Sequence, residues 1–132
     1  MIVIDSSVLV KFFSREEGWK QARRFIEEGA ITVDMAVKEV ANALWKKVLQ
    51  GDMELSTALE IVSDLSRGDV VRLVDQKELL GEALKLAAKT RITVYDALFI
   101  VLAKRMGLKL VTADRRQAKA AEEAAVEVIL LS

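Results

Sequence analysis

The chain has 132 residues, of which 52% are hydrophobic and 30% charged, a composition that fits one compact domain with a real core and excludes a disordered chain. Lysine plus arginine and aspartate plus glutamate each number 20, so the formal net charge is zero; this argues against a generic nucleic-acid coat or a membrane-surface binder, but leaves room for a local basic rim around an acidic site. With no cysteine and no histidine, disulfides, thiol nucleophiles, structural zinc and imidazole acid–base chemistry are excluded, and any metal must be held by oxygen, which favours Mg2+ or Mn2+.

The opening MIVID reaches an acid too soon for a signal peptide, and no apolar run is long enough to span a bilayer, so the expected location is the cytoplasm. Residues 2–4 read as a buried strand and 7–13 as a short helix. Residues 16–28 are helical, with Ser14 and Glu17 forming a capping-box pattern and Gly29 as the stop. A second strand over 31–33 leads into a helix over 35–49, whose apolar stripe is Val37, Val40, Ala41, Leu44 and Val48, and which Gly51 ends. A helix over 55–65 is expected to be capped by Ser56, and a third strand covers 70–74. Residues 78–90 are helical, and 94–106, apolar around most of the circumference, form a buried helix that Gly107 stops. A fourth strand over 109–112, a helix over 115–125 and a fifth strand over 127–131 complete the chain. There is no proline, repeat or low-complexity stretch to mark a linker, so residues 1–132 are expected to be a single domain. Strands alternating with helices predict a parallel sheet covered on both faces, a three-layer α/β/α domain.

That topology places four acids together. Asp5 follows the first strand, Asp114 follows the fourth, Glu39 lies in the first turns of the helix after the second, and Asp96 lies in the first turn of the helix leading into the fourth. All four fall at the carboxyl-terminal edge of the sheet, where open α/β sheets bind ligands at the reversal of strand order. Like charges converging there raise one another's pKa values unless a cation compensates. A hard divalent ion is the simplest compensation, and it would polarise a phosphodiester and acidify water without histidine. Each acid also has a plainer reading: Asp5 and Asp114 as helix caps, Asp96 as the third residue of a capping box opened by Thr93, and Glu39 as a solvated helix residue. Asp34 and Asp75 read as caps, and Asp52, Asp64 and Asp69 as loop or surface acids.

The segments Asp5-Ser6-Ser7-Val8-Leu9-Val10, Glu39-Val40-Ala41-Asn42-Ala43-Leu44, Tyr95-Asp96-Ala97-Leu98 and Leu110-Val111-Thr112-Ala113-Asp114, in that order and spacing, resemble the PIN-domain family over essentially the whole chain. The nearest likeness is to the ribonuclease toxins of VapBC-type toxin–antitoxin pairs. The resemblance implies a five-stranded parallel sheet in the order 3-2-1-4-5 and Mg2+- or Mn2+-dependent RNA cleavage. It implies Asp5, Glu39, Asp96 and Asp114 as catalytic metal ligands, with Ser7, Asn42 and Thr112 in supporting or substrate-binding roles. It further implies a homodimer inhibited by a small antitoxin, which family toxins bind through an apolar groove between early helices. Phe12, Phe13, Trp19 and Trp45 are candidates for such a groove, although aromatics at helical spacing more often belong to a core. A phosphoryl-accepting receiver domain with Asp75 as acceptor lacks the paired acids after the first strand. A nucleotide-binding domain lacks a glycine-rich phosphate loop. The alternatives within the fold are a nuclease of RNA processing or decay and a non-cleaving protein that binds RNA or a partner.

Overall fold

A computed structural model describes residues 1–132. Its elements are β1 (Ile2–Ile4), α1 (Ser6–Phe13), α2 (Trp19–Glu27), β2 (Ala30–Val33), α3 (Met35–Leu49), α4 (Leu55–Ser66), β3 (Arg72–Val74), a 3-10 turn (Gln76–Leu79), α5 (Leu80–Thr90), α6 (Val94–Met106), β4 (Leu110–Thr112), α7 (Arg115–Glu123) and β5 (Val128–Leu130). The five strands form one sheet in the order β3-β2-β1-β4-β5, every pairing parallel. Successive strand residues point to opposite faces. Val3 and Ile4, Ile31, Thr32 and Val33, and Leu110, Val111 and Thr112 are all buried, so helices cover both faces of the central strands.

α6 packs against β1 and β2 and also against α5; α1 packs against both α2 and α3, and α3 against α4. Residues Ala97 to Ala103 of α6 are buried without interruption, as its all-round apolarity predicts. Gly107, at φ +65°, ends that helix in the left-handed conformation. No helix is long and apolar enough to cross a membrane.

Several boundaries differ from the sequence reading. The Ser14–Glu17 capping box does not form. The Ser14 N–H instead closes the end of α1, and α2 starts at Trp19 behind Gly18 at φ +88°, with no side-chain cap. A Cβ at position 18 would meet the Ser132 carbonyl oxygen at 3.0 Å, so both the positive φ and the close approach favour glycine there. Ser56 does not cap α4, whose N-cap position is Glu54. The third strand begins at Arg72, the segment before α5 winds as a 3-10 turn, and α7 ends at Glu123. Asp34 does not cap α3; its carboxylate accepts a hydrogen bond from Gln76 N–H at 3.2 Å, tying β2 to the segment after β3.

Candidate active site

The crossovers from β1 and from β4 leave the sheet at adjacent strands, and Asp5 lies between them. Its backbone extends β1 and its side chain accepts from Val8 N–H, capping α1 at 3.3 Å as the plain reading expects. The carboxylate does more than cap. Ser7 Oγ donates to Oδ1 and Thr112 Oγ1 donates to Oδ2. Each hydroxyl is oriented by a backbone donor from the loop after β4: Ala113 N–H gives to Ser7 Oγ at 2.9 Å and Asp114 N–H to Thr112 Oγ1 at 3.0 Å. With an oxygen lone pair of each hydroxyl taken, its proton turns toward Asp5. The result is a hydroxyl–carboxylate–hydroxyl bridge joining the start of α1 to the end of β4.

Asp5 is only 5% exposed. Burial outweighs these hydrogen bonds and, with a smaller contribution from the Asp114 charge, lifts its pKa from 3.8 to about 6. Asp114 is exposed and caps α7, its Oδ1 accepting from Arg116 N–H at 2.8 Å and Gln117 N–H at 3.4 Å. Asp96 lies in the first turn of α6, where its N–H donates to Thr93 Oγ1 at 3.2 Å. Partial burial and then the Asp114 charge raise its carboxyl above the usual range, against Thr93 and the Arg116 guanidinium, which lower it. Glu39, on α3, accepts a 2.9 Å hydrogen bond from Ser6 Oγ, and is raised by partial burial and by Asp96.

The acids therefore form an electrostatic chain, Asp5 to Asp114 to Asp96 to Glu39. The structure puts Asp5, Ser7 and Thr112 in direct contact and Asp114 beside them. It does not gather three or more acids tightly enough to enclose an ion. Asn42 is exposed on α3 and lines a groove beside Glu39. Asp75 caps Lys77 N–H at 2.8 Å, as expected. Of the four aromatics considered for an apolar groove, Phe12 and Phe13 stack edge to face with ring centroids 4.8 Å apart and pack on the core. Trp19 is half-buried beneath the Arg15 guanidinium, and Trp45 alone is exposed.

Two site contributors have no signal in the sequence. Ser6 is an unremarked neighbour of Asp5 until the fold sets it against Glu39, 33 residues away. Gln117 gives its N–H to the Asp114 cap, and its buried side chain turns inward and donates from Nε2 to the Asp96 carbonyl oxygen at 3.0 Å, tying α6 to α7.

This donor set suits a hard divalent cation. All the ligating atoms on offer are carboxylate or hydroxyl oxygens, and three of the four acids have pKa values raised by burial and by mutual repulsion, both of which a cation would counter.

Residues 2–123 match the family model of the PIN domain. Ribonuclease VapC3 of Pyrobaculum aerophilum is 35% identical over 123 residues, spanning 89% of this chain and 92% of its own. Exonuclease VapC9 of the same organism is 29% identical over 113 residues, covering 86% of this chain and 80% of its own. Among solved structures, PAE2754 from Pyrobaculum aerophilum superposes with a TM-score of 0.70 at 25% identity, covering 90% of this chain and 84% of that one. FitAcB from Neisseria gonorrhoeae gives 0.65 at 16% identity, covering 98% and 96%, a likeness of fold alone. By sequence over nearly its whole length, and with the 3-2-1-4-5 sheet already described, this chain belongs to the PIN-domain family.

Proposed function

We propose that the protein is a divalent-metal-dependent ribonuclease and the toxin of a type II toxin–antitoxin pair, acting in the cytoplasm. The observation that carries this reading is the Asp5 bridge at the β1/β4 junction, a buried carboxylate held by two oriented hydroxyls, with Asp114 acting on it and Asp96 and Glu39 following in turn. A relative named a ribonuclease at 35% identity supports the same reading. Asp5, Glu39, Asp96 and Asp114 would hold Mg2+ or Mn2+, with Ser7 and Thr112 fixing Asp5 and Asn42 facing the substrate. When bound, the cation supplies Lewis acidity to the phosphodiester and lowers the pKa of water. The chain's own part is to fix the carboxylates before substrate arrives. Ser7 and Thr112 hold Asp5 in one orientation, Ser6 holds Glu39, and the Gln117 contact fixes the first turn of α6 that carries Asp96. Asp96, half-buried in the first turn of α6, has its carboxyl raised by burial and by the Asp114 charge, and a bound cation would favour its charged form.

A homodimer and a small antitoxin partner belong to this proposal. They are supported by the exposed apolar side chains Trp45, Leu49, Leu55 and Leu59 on α3 and α4. The deciding experiment is incubation of purified protein with an RNA pool, with Mg2+, with Mn2+ and with EDTA, and cut sites mapped by sequencing. Discrete metal-dependent cuts are expected; no cleavage under any metal condition would leave a non-cleaving binding protein.

A further inference from the structure

Glu39 opens onto a groove of about 1010 Å3 between α1 and α3. Its lining carries four lysines, Lys11, Lys38, Lys46 and Lys47, against two glutamates, Glu16 and Glu39, in a chain whose formal net charge is zero. Positive charge is thus concentrated beside the acidic centre. The lysines are not equivalent. Lys11 is committed, donating to the carbonyl oxygens of Glu17 at 2.6 Å and Ser132 at 3.2 Å. Lys38, Lys46 and Lys47 take part in none of the ion pairs of the molecule. Glu39, Ala43, Lys46 and Gln50 lie at helical spacing on one face of α3, so Lys46 stands about 10 Å along the axis from Glu39. At the acidic end of the same groove is Tyr95, from the first turn of α6. It is 60% exposed, and its side chain has no hydrogen-bond partner.

A basic track with an aromatic ring at one end is how proteins hold single-stranded nucleic acid: ammonium groups follow the phosphates and the ring stacks on an unpaired base. We propose that single-stranded RNA lies in this groove, its phosphates along Lys38, Lys46 and Lys47, and that the base beside the scissile bond stacks on Tyr95. The assignment rests on the ribonuclease reading for the identity of its ligand, but it concerns binding and can be tested without cleavage. On the same wall, Asn42 offers a neutral hydrogen-bonding group between Glu39 and Lys46, and Gln50 offers another beyond Lys47.

The test measures binding of a fluorescein-labelled single-stranded RNA in EDTA over a salt series. It compares wild type, the Lys46→Ala/Lys47→Ala pair, Tyr95→Ala, Tyr95→Phe, and a charge-matched Lys85→Ala/Lys89→Ala control in a separate pocket beside α5. The Lys46/Lys47 pair should lower the slope of log affinity against log salt by about 1.4, roughly 0.7 for each phosphate released, while the control keeps the wild-type slope. Tyr95→Ala should weaken binding roughly 5- to 150-fold, and Tyr95→Phe, which keeps the ring, should bind as wild type. A wild-type slope in the Lys46/Lys47 pair, or a Tyr95→Phe protein as weak as Tyr95→Ala, would overturn the proposal and leave the groove to a protein partner. Parallel assays in Mg2+ separate the two claims. If the binding pattern holds but no variant or wild type cleaves, the ribonuclease reading fails and the groove stands. If wild type cleaves and the Lys46/Lys47 pair and Tyr95→Ala cleave with unchanged KM, the groove assignment fails and the ribonuclease stands.

Discussion

Replacing Asp5 with Asn should change stability in opposite directions at acid and neutral pH. Asp5 is buried, and its pKa rises from 3.8 to about 6 on folding. That is roughly two units, and at about 1.36 kcal/mol each the linked free energy is on the order of 3 kcal/mol. Because the folded-state pKa is the higher one, the folded protein holds this proton more tightly. The contribution is fully present below about pH 4 and is lost as pH rises through about 6. At pH 7.5 the wild type carries the buried charge and the Asp5→Asn variant does not. The Asn amide cannot accept from both Ser7 and Thr112, and one unmatched hydroxyl costs about 1 kcal/mol. In EDTA, Asp5→Asn should therefore be more stable than wild type by about 2 kcal/mol at pH 7.5 and less stable by about 1 kcal/mol at pH 4. Guanidinium unfolding of both proteins at the two pH values reads this directly, since every other carboxylate titrates in both. A difference between the two proteins that does not change with pH would refute the raised pKa and the reasoning built on it.

Thr112→Val leaves Asp5 Oδ2 and the Asp114 N–H without their partner; it should cost about 1–3 kcal/mol at neutral pH, and NMR titration should find Asp5 deprotonating at still higher pH. A wild-type midpoint would remove Thr112 from the bridge. Asp75→Asn keeps a side chain able to cap and stands apart from the acidic chain. Its thermal shift with Mg2+ and its cleavage rate should match wild type, and a lost metal response would mean that the site extends to β3. Trp45, 54% exposed on α3, should lie in an interface: light scattering at micromolar concentration should give a dimer for wild type and a monomer for Trp45→Glu, with unchanged circular dichroism. A monomeric wild type would contradict the dimer.

What could be read from the sequence follows the range of the interactions involved. The central strands β1, β2 and β4 are short apolar runs buried on both faces, and α6 is apolar nearly all round, so hydrophobic pattern alone locates them. The caps Asp5, Asp75, Thr93 and Asp114 act over two or three residues and are equally visible. The start of α2 is not, because Ser14 and Glu17 have the same local pattern as a working capping box, yet Ser14 closes α1 and Gly18, in the left-handed conformation, opens α2. Ser7 and Thr112 are implied by the family resemblance, but the reason they matter, sharing Asp5 between them, joins residues more than 100 positions apart. Asp34 is a cap by its position and a cross-strand tie by its contact, for the same reason. The lysines of α3 line a groove only because α1 forms its other wall, a contact that no local pattern shows.

The most direct test of the proposed four-carboxylate centre is single-turnover cleavage of a mapped RNA by wild type, Asp5→Asn, Asp96→Asn and Asp114→Asn, each in Mg2+ and in EDTA, with folding verified by circular dichroism. Loss of a carboxylate that holds the cation removes several kcal/mol of transition-state stabilisation, so each variant should cleave roughly 100- to 1,000-fold more slowly than wild type in Mg2+. Wild type in EDTA should fall to the same floor. Folded variants that cleave at the wild-type rate, or wild-type cleavage that persists in EDTA, would contradict the account.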